Sequence, residues 1–279
     1  NGTEPPKRGQ YIRVITAELE RLHSHLLWLG IACHIIGHDS LFMHSWNDRE
    51  RTMDLLEAIT GNRVNYGMNT IGGARRDIPD HLRKEIIDTL DDLEVKMQPL
   101  THFLTTDKTV AMRTQGVGVL TREDAIRIGA VGPHARASGV DIDVRRDAPY
   151  TSYEDFDFNI PVVESGDVYA RVLIRVLETY ESMKIVRQAV DMLPEGPINL
   201  GNKIPKVPAG EFVGCHEAPR GQLVYKVVTN GGPTNHRLSI HVPTFKNAPT
   251  VETMLKGNTV ADAGLIVASI DPCFSCMDC

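Results

Sequence analysis

Apolar side chains recur at three- and four-residue steps from Ile12 through Ile15, Leu19, Leu22 and Leu26 to Leu29. That spacing lines one face of an α-helix and predicts one over residues 11–36, with Glu18, Glu20 and Arg21 on its wet side. A second helix is expected over Asp48–Thr60, stopped by Gly61-Asn62. The stretch from Gly72-Gly73 to Pro79 reads as a loop. Leu82, Ile86, Leu90, Leu93 and Met97 then place a third helix over about 79–104, with Asp80 as its cap. A shorter helix over Thr121–Gly129 has Thr121 and Asp124 as a capping pair. The strongest helix after the first covers Asp167–Leu193 and ends at Pro194-Glu195-Gly196-Pro197.

Between these helices, 132–161 is rich in Gly, Pro, Asp and Tyr and has no period, as functional segments of compact proteins often do. Residues 198–249 are β-like, with alternation over Gln222–Thr229 and more weakly over Ser239–Thr244. Val251–Leu255 and Val260–Ser269 close the chain with helical or mixed character. The expected fold is mainly α (α+β), a bundle of long helices with a small late sheet. One domain is expected over 1–279, helical over about 8–193 and mixed over about 194–279.

Charge narrows the function. The 279 residues carry 30 Lys+Arg against 36 Asp+Glu, a formal net charge of −6, without the basic excess of a nucleic-acid binder. Apolar residues at 42% and charged residues at 24% are ordinary globular values, which excludes a disordered chain. No run reaches the roughly 18 apolar residues of a membrane helix. The longest candidate, Leu26–Gly37, is short and contains His34, and no basic-then-apolar leader opens the sequence. A soluble chain able to sit against a membrane partner is expected. Of 5 cysteines, Cys273, Cys276 and Cys279 crowd the terminus, which is no disulfide framework and suits a reduced, metal-handling compartment.

The sharpest chemical signal is that tail, Asp271-Pro272-Cys273-Phe274-Ser275-Cys276. Thiols at this spacing reach one metal from a single turn. A redox pair, a zinc knuckle, the start of a ferredoxin run and buried structural cysteines compete with that reading. The redox pair lacks a following helix, the knuckle a second ligand pair, and the ferredoxin run its fourth Cys and Pro. A second signal is His216-Glu217-Ala218-Pro219-Arg220-Gly221, a stiff turn presenting one guanidinium; its bland reading is a solvated surface arginine. His34 and His38 lie one helical turn apart beside Cys33, with His23, His25 and His44 nearby. Lacking a matching carboxylate, they read as packed or hydrogen-bonded core histidines. Arg49/Arg51, Arg75-Arg76 and Arg145-Arg146 read as solvated charge or helix-end pairs. Phosphate-loop, dinucleotide and nucleophile-elbow motifs are absent from the sequence, which removes serine hydrolases and nucleotide-binding enzymes.

These residues resemble a known family. Asp271-Pro272-Cys273-Phe274-Ser275-Cys276 is similar to the C-terminal DPCxxC of nickel–iron hydrogenase large subunits, Glu217–Gly221 to their EAPRG segment, and Val242–Asn247 to their VPTxxN loop. Arg13–Leu27 and Gly72–Ile78 resemble the membrane-bound, energy-converting branch. Gly132-Pro133, Arg136–Gly139 and Asp143–Arg146 also resemble the quinone-site large subunit of respiratory complex I, the NADH-quinone oxidoreductase.

The resemblance implies a nickel–iron centre with CO and cyanide on the iron, held by four thiolates, and reversible reduction of protons to H2. Cys273 matches the terminal nickel ligand and Cys276 the bridging thiolate. Arg220 matches the arginine over the open coordination site with Asp271 beside it, while Pro219 and Thr244 match the cyanide pocket. It implies an iron–sulfur small subunit carrying the clusters, a ferredoxin-type donor, membrane-arm subunits and a peripheral place on the cytoplasmic face of the membrane. The family's first Cys-x-x-Cys, in an Arg-x-Cys-Gly-x-Cys context, and its proton-gating glutamate lie upstream of the segment matching Asn1–Arg13. The chain is therefore expected to be part of a longer subunit. Cys279 stands where this branch has Arg and other hydrogenases His, which leaves cleavage by a maturation protease open. Two rivals are a quinone-reducing complex I type subunit, which lacks the tail cysteines, and a scaffold paralogue that kept half the ligands.

Overall fold

The computed structural model describes residues 4–201, 207–232 and 234–278. Helix α1 (Lys7–Ile36) ends at Gly37, whose left-handed φ of 102° lets its N–H reach the carbonyls of Cys33 and His34. All six stripe residues, Ile12 to Leu29, are fully buried. The wet side expected at Glu18 and Arg21 is not wet, for both are also fully buried. Helices α2 (Asp39–Thr60), α8 (Val168–Asp191) and α11 (Ala263–Ser269) all pack on α1, and Glu18 and Arg21 are covered by Ser182 of α8, Arg145, Tyr153 and the Glu217 and Ala218 carbonyls.

Helix α2 begins nine residues before the expected Asp48, directly after the Gly37 break. His34 thus lies in the last turn of α1 and His38 beyond it, just before α2, and the expected one-turn pair does not form. Helix α3 (Asp80–Thr106) follows the expected amphipathic stripe and tolerates Pro99 inside it. Asp80 does not cap it; it is the first helical residue and pairs with Arg83. A short α4 (Lys108–Thr114), which the apolar pattern does not predict, is capped by the Asp107 carboxylate. In α5 (Arg122–Ile128), Thr121 caps the Asp124 N–H as expected.

The aperiodic 132–161 region contains α6 (Gly132–Arg136), α7 (Val144–Asp147) and a 3-10 turn at Tyr153–Asp155 joined by irregular chain. Asp167 caps α8 by accepting from the Ala170 N–H. The glycine pair forms a small hairpin rather than a plain loop, β1 (Asn69–Thr70) with β2 (Gly73–Ala74). The late sheet is antiparallel, in the order β3 (Ala209–Ala218), β4 (Gly221–Asn230), β5 (Asn235–His241). Strand β3 lies in the stretch expected to be β-like but shows no alternation of its own, because half of its residues are exposed. The strand expected to reach Thr244 stops at His241, since Pro243 starts α9 (Pro243–Asn247). Helices α10 (Thr250–Leu255), α11 and α12 (Phe274–Met277) complete the chain, and no described helix is long and apolar enough to cross a membrane.

Candidate functional site

Register pairs Ala218 with Gly221, so Pro219 and Arg220 alone form the β3–β4 turn. Two-residue hairpins favour mirror-image turns with positive φ, which proline cannot adopt. Gly221, at φ 124°, takes up the mismatch. The turn sits backbone to backbone on α6: a Cβ on Gly132 (φ 66°) would lie 2.3 Å from Gly221 Cα and 2.5 Å from Arg220 O. No side chain fits between them, so the position of Arg220 is set by two glycines.

Arg220 is no solvated surface group. Its Nε donates to Asp271 O at 2.9 Å, its Nη2 lies 2.9 Å from Asp271 Oδ1, and its Nη1 donates to Ser24 Oγ of α1 at 3.3 Å. Asp271 has a left-handed φ of 57°, and its buried Oδ2 has no partner among the described residues. A strained non-glycine residue with an orphaned oxygen marks a place where structure has been spent on something other than stability.

The tail is held from below. Arg171 Nη1 donates to Ser269 Oγ at 2.9 Å, Arg175 Nη2 to Ser269 O at 3.3 Å, and Trp28 Nε1 to Ala268 O at 2.7 Å. The Arg175 guanidinium also stacks 4.0 Å from the Trp28 ring. Both arginines thus meet the C-terminal end of α11, where carbonyls favour cations. From there Asp271-Pro272 delivers Cys273, whose N–H donates to Thr244 Oγ1 at 3.3 Å. The Cys276 thiol donates to the Cys273 sulfur at 2.6 Å. Burial pushes the Cys273 thiol up, but the Cys276 and Ser275 hydrogen bonds and the Arg220 charge outweigh it, and its pKa is lowered.

The structure therefore gathers Arg220, Asp271, Thr244, Cys273 and Cys276 from three distant stretches, with Pro219 buried in the turn. Cys279 lies outside the described residues. As soft donors the two thiols suit one edge of a nickel–iron type centre. Among the described residues, however, no group of three or more His, Cys, Asp or Glu is placed to hold a metal ion. They fit half of the implied ligand set and do not close it. Burial raises the Cys33 thiol to about 12 and leaves it inert. His25 is a core histidine, as expected, bonded to Glu178 at 2.9 Å, while exposed His34 bonds Asp39 at 2.6 Å.

Behind the turn lies a buried ion cluster that sequence reasoning missed. Arg136 donates through Nε and Nη2 to Glu178 Oε1 (3.0 and 2.7 Å) and through Nη1 to Glu217 Oε1 (3.0 Å). Arg145, expected to be solvated, is buried and grips Asp143 and Glu18 at 2.7 and 3.2 Å. Glu18 also accepts from Tyr153, Ser182 and Arg21 at 2.6, 2.7 and 3.2 Å. Burial alone would raise the Glu18 pKa, yet Arg21 and Arg145 bring it down to about 2. Arg21 reaches on to the Glu217 and Ala218 carbonyls at 2.6 and 3.2 Å, which ties the cluster to the Arg220 turn. One signal was available: Arg171, Arg175 and Glu178 recur at four- and three-residue steps inside a helix with Val172, Ile174 and Val176.

The sequence profile of the respiratory-chain NADH dehydrogenase 49 kDa subunit matches residues 36–206 and 200–279. A carbon monoxide-induced hydrogenase of Rhodospirillum rubrum is 41% identical over 99% of this chain and 77% of its own length. The alpha subunit of the membrane-bound hydrogenase of Pyrococcus furiosus is 41% identical over 99% of this chain and 68% of its own. An NADH-quinone oxidoreductase subunit of Clostridium beijerinckii is 38% identical over 97% and 74%. The family shown is thus wider than the nickel–iron branch expected from the tail. On these matches, the chain belongs to the 49 kDa subunit family of respiratory-chain NADH dehydrogenase, an oxidoreductase family whose relatives are subunits of membrane-associated complexes.

Proposed function

We propose that this chain is the catalytic large subunit of a membrane-associated, energy-converting hydrogenase. It would form H2 from protons, or run the reverse, with electrons from a ferredoxin-type carrier through an iron–sulfur small subunit on the cytoplasmic face of a membrane arm. The observation that carries this reading is the Cys273–Cys276 pair standing beside the Arg220–Asp271 pair. The two relatives at 41% identity are named as hydrogenases.

In this reading Cys273 and Cys276 would hold one edge of a nickel–iron centre with CO and cyanide. Such a centre supplies reversible splitting of H2. The chain's own residues do the rest. Asp271 fixes the guanidinium of Arg220, whose charge favours the thiolate of Cys273 and steadies negative charge nearby. Thr244 orients the Cys273 backbone. In the full-length protein within its complex, Cys276→Ser is expected to abolish nickel incorporation, read by metal analysis. Retained nickel together with H2 activity refutes the assignment.

A second reading, quinone reduction, has its own support. A cavity of about 720 Å³ is lined by Arg13, Thr70, Tyr150, Tyr153, His216 and Tyr225. Burial pushes His216 down to about 4, so it is a neutral donor or acceptor in an aromatic pocket suited to a ring. The Clostridium beijerinckii relative, 38% identical, is named as an NADH-quinone oxidoreductase subunit. A nickel-free complex that reduces quinone would establish this reading instead.

A further inference from the structure

The ion cluster is unequally served. Asp143 takes the Arg145 Nε and Nη2 at 3.0 and 2.7 Å, and the Arg145 N–H at 2.9 Å. Glu178 takes two bonds from Arg136 and one from His25, at 3.0, 2.7 and 2.9 Å. Glu18 has two arginines, a tyrosine and a serine. Glu217 has one guanidinium bond, shared Arg136 Nη1 at 3.0 Å, and the Val144 N–H at 3.2 Å. That same Nη1 also serves Asp143 Oδ2 at 3.2 Å and the Ile142 carbonyl at 2.8 Å.

The charges within this hydrogen-bonded set do not cancel. Among the described residues, the guanidiniums that Glu18, Asp143, Glu178 and Glu217 meet are those of Arg21, Arg136 and Arg145. His25 supplies no further positive charge: burial, with Arg21 and Arg175 nearby, pushes its pKa down. The next cation, Arg175, is committed to Trp28 and Ser269 and acts on the Glu178 side. An uncompensated charge in a dry interior is relieved by binding a proton at the least-stabilised site. Glu217 is that site, and a cavity of about 220 Å³ reaches it, lined also by Asp143, Val144, Cys215 and Gln222.

We propose that Glu217 is the proton-carrying member of this cluster, loading and releasing one proton through the adjoining cavity, and that its charge state sets how firmly Arg21 holds the turn bearing Arg220. The balance is simple: the Glu217 carboxylate takes one proton from water to become the neutral acid, and returns it to water. The charged and titratable groups facing it are Arg21 of α1, Arg136 of α6, Asp143 and Arg145 around α7, and Glu178 of α8. Tyr150 accepts from its backbone N–H at 3.1 Å, and Cys215 and Asp147 line the cavity. Burial raises the Glu217 pKa most, and nearby Asp143 adds to it against the pull of Arg136; Asp143 itself, gripped by Arg145, is lowered.

The effect on the turn follows from Arg21. Its guanidinium is shared between the Glu18 carboxylate and the carbonyls of Glu217 and Ala218, which directly precede Pro219 and Arg220. Neutralising Glu217 frees Arg136 for Asp143 and Glu178 and shifts the field in which Arg21 divides its bonds. Glu217 is a positioning residue, not one that touches a reacting atom.

The test uses the full-length chain in its assembled complex, carrying carbon-13 glutamate, in an infrared pH titration. A protonated glutamic-acid carbonyl band is expected to persist above the usual carboxylate range and to vanish in Glu217→Gln. If the glutamine variant does not assemble, Glu217→Asp removes the labelled carbonyl equally. A wild-type band that is absent there, or that survives both substitutions, overturns the proposal. The variant's turnover should also lose one ionisation from its pH profile; an unchanged profile overturns the link to the turn. That link rests on the Arg220 site being where turnover occurs, whereas the infrared titration does not, so the two failures are separable.

Discussion

Arg136→Gln removes the one cation that Glu178, Glu217 and Asp143 share while keeping a short hydrogen-bonding side chain. Arg136 is fully buried, as are its partners. Removing one partner of a buried pair costs about 3–5 kcal/mol, because the remaining charge is left in a dry interior. At roughly 2–4 °C per kcal/mol for a chain of this order of size, the unfolding midpoint should fall by about 6–20 °C near neutral pH. Thermal unfolding of the full-length subunit, followed by circular dichroism, reads this directly. The pH dependence has a definite sign. Burial opposes ionisation of Glu178, but Arg136 and His25 outweigh it and hold its pKa well below the ordinary 4.5. The Arg136–Glu178 contribution is therefore fully present above that ordinary value and is lost as pH falls through the lower, folded one. The gap between wild type and variant should be widest at neutral pH and close on acidification. A midpoint shift under about 2 °C, or a gap that widens in acid, would show that Arg136 does not hold Glu178 ionised in the folded protein.

Two further outcomes follow from the turn. Arg220→Lys keeps the charge but cannot span Asp271 O, Asp271 Oδ1 and Ser24 at once. Losing charged hydrogen bonds worth about 1.5–3 kcal/mol each should lower turnover of the assembled complex about 10- to 100-fold, by more than the accompanying fall in unfolding midpoint accounts for; undiminished turnover would remove Arg220 from the site. Gly132→Ala puts a methyl group 2.3 Å from Gly221 Cα at a φ of 66°. It should cost about 1–3 kcal/mol in thermal unfolding and, by displacing the Arg220 turn, reduce activity by more than the loss of folded protein accounts for.

The long helices were legible because period is a local property. The stripe from Ile12 to Leu29, the Thr121 cap and the Pro194 stop are decided within a few residues of chain, and the structure keeps each of them. The tail cysteines and the Pro219–Gly221 turn could likewise be singled out from residue type and spacing. What spacing could not say is which charges are inside. Glu18 and Arg21 look like any wet helix face until α8 and the α6–α7 segment close over them, and Arg145 differs from exposed Arg146 only in facing Glu18 and Asp143. Burial of a charge depends on partners about 40 to 200 positions away, such as Glu217 for Arg136 and the Ala218 carbonyl for Arg21. The same holds for His34 and His38, one turn apart by number yet separated by the end of α1 at Gly37. The sequence by itself determined the elements and the chemical groups on them. The tertiary structure alone decided which groups lose their water, and loss of water turns ordinary acids and bases into a coupled site.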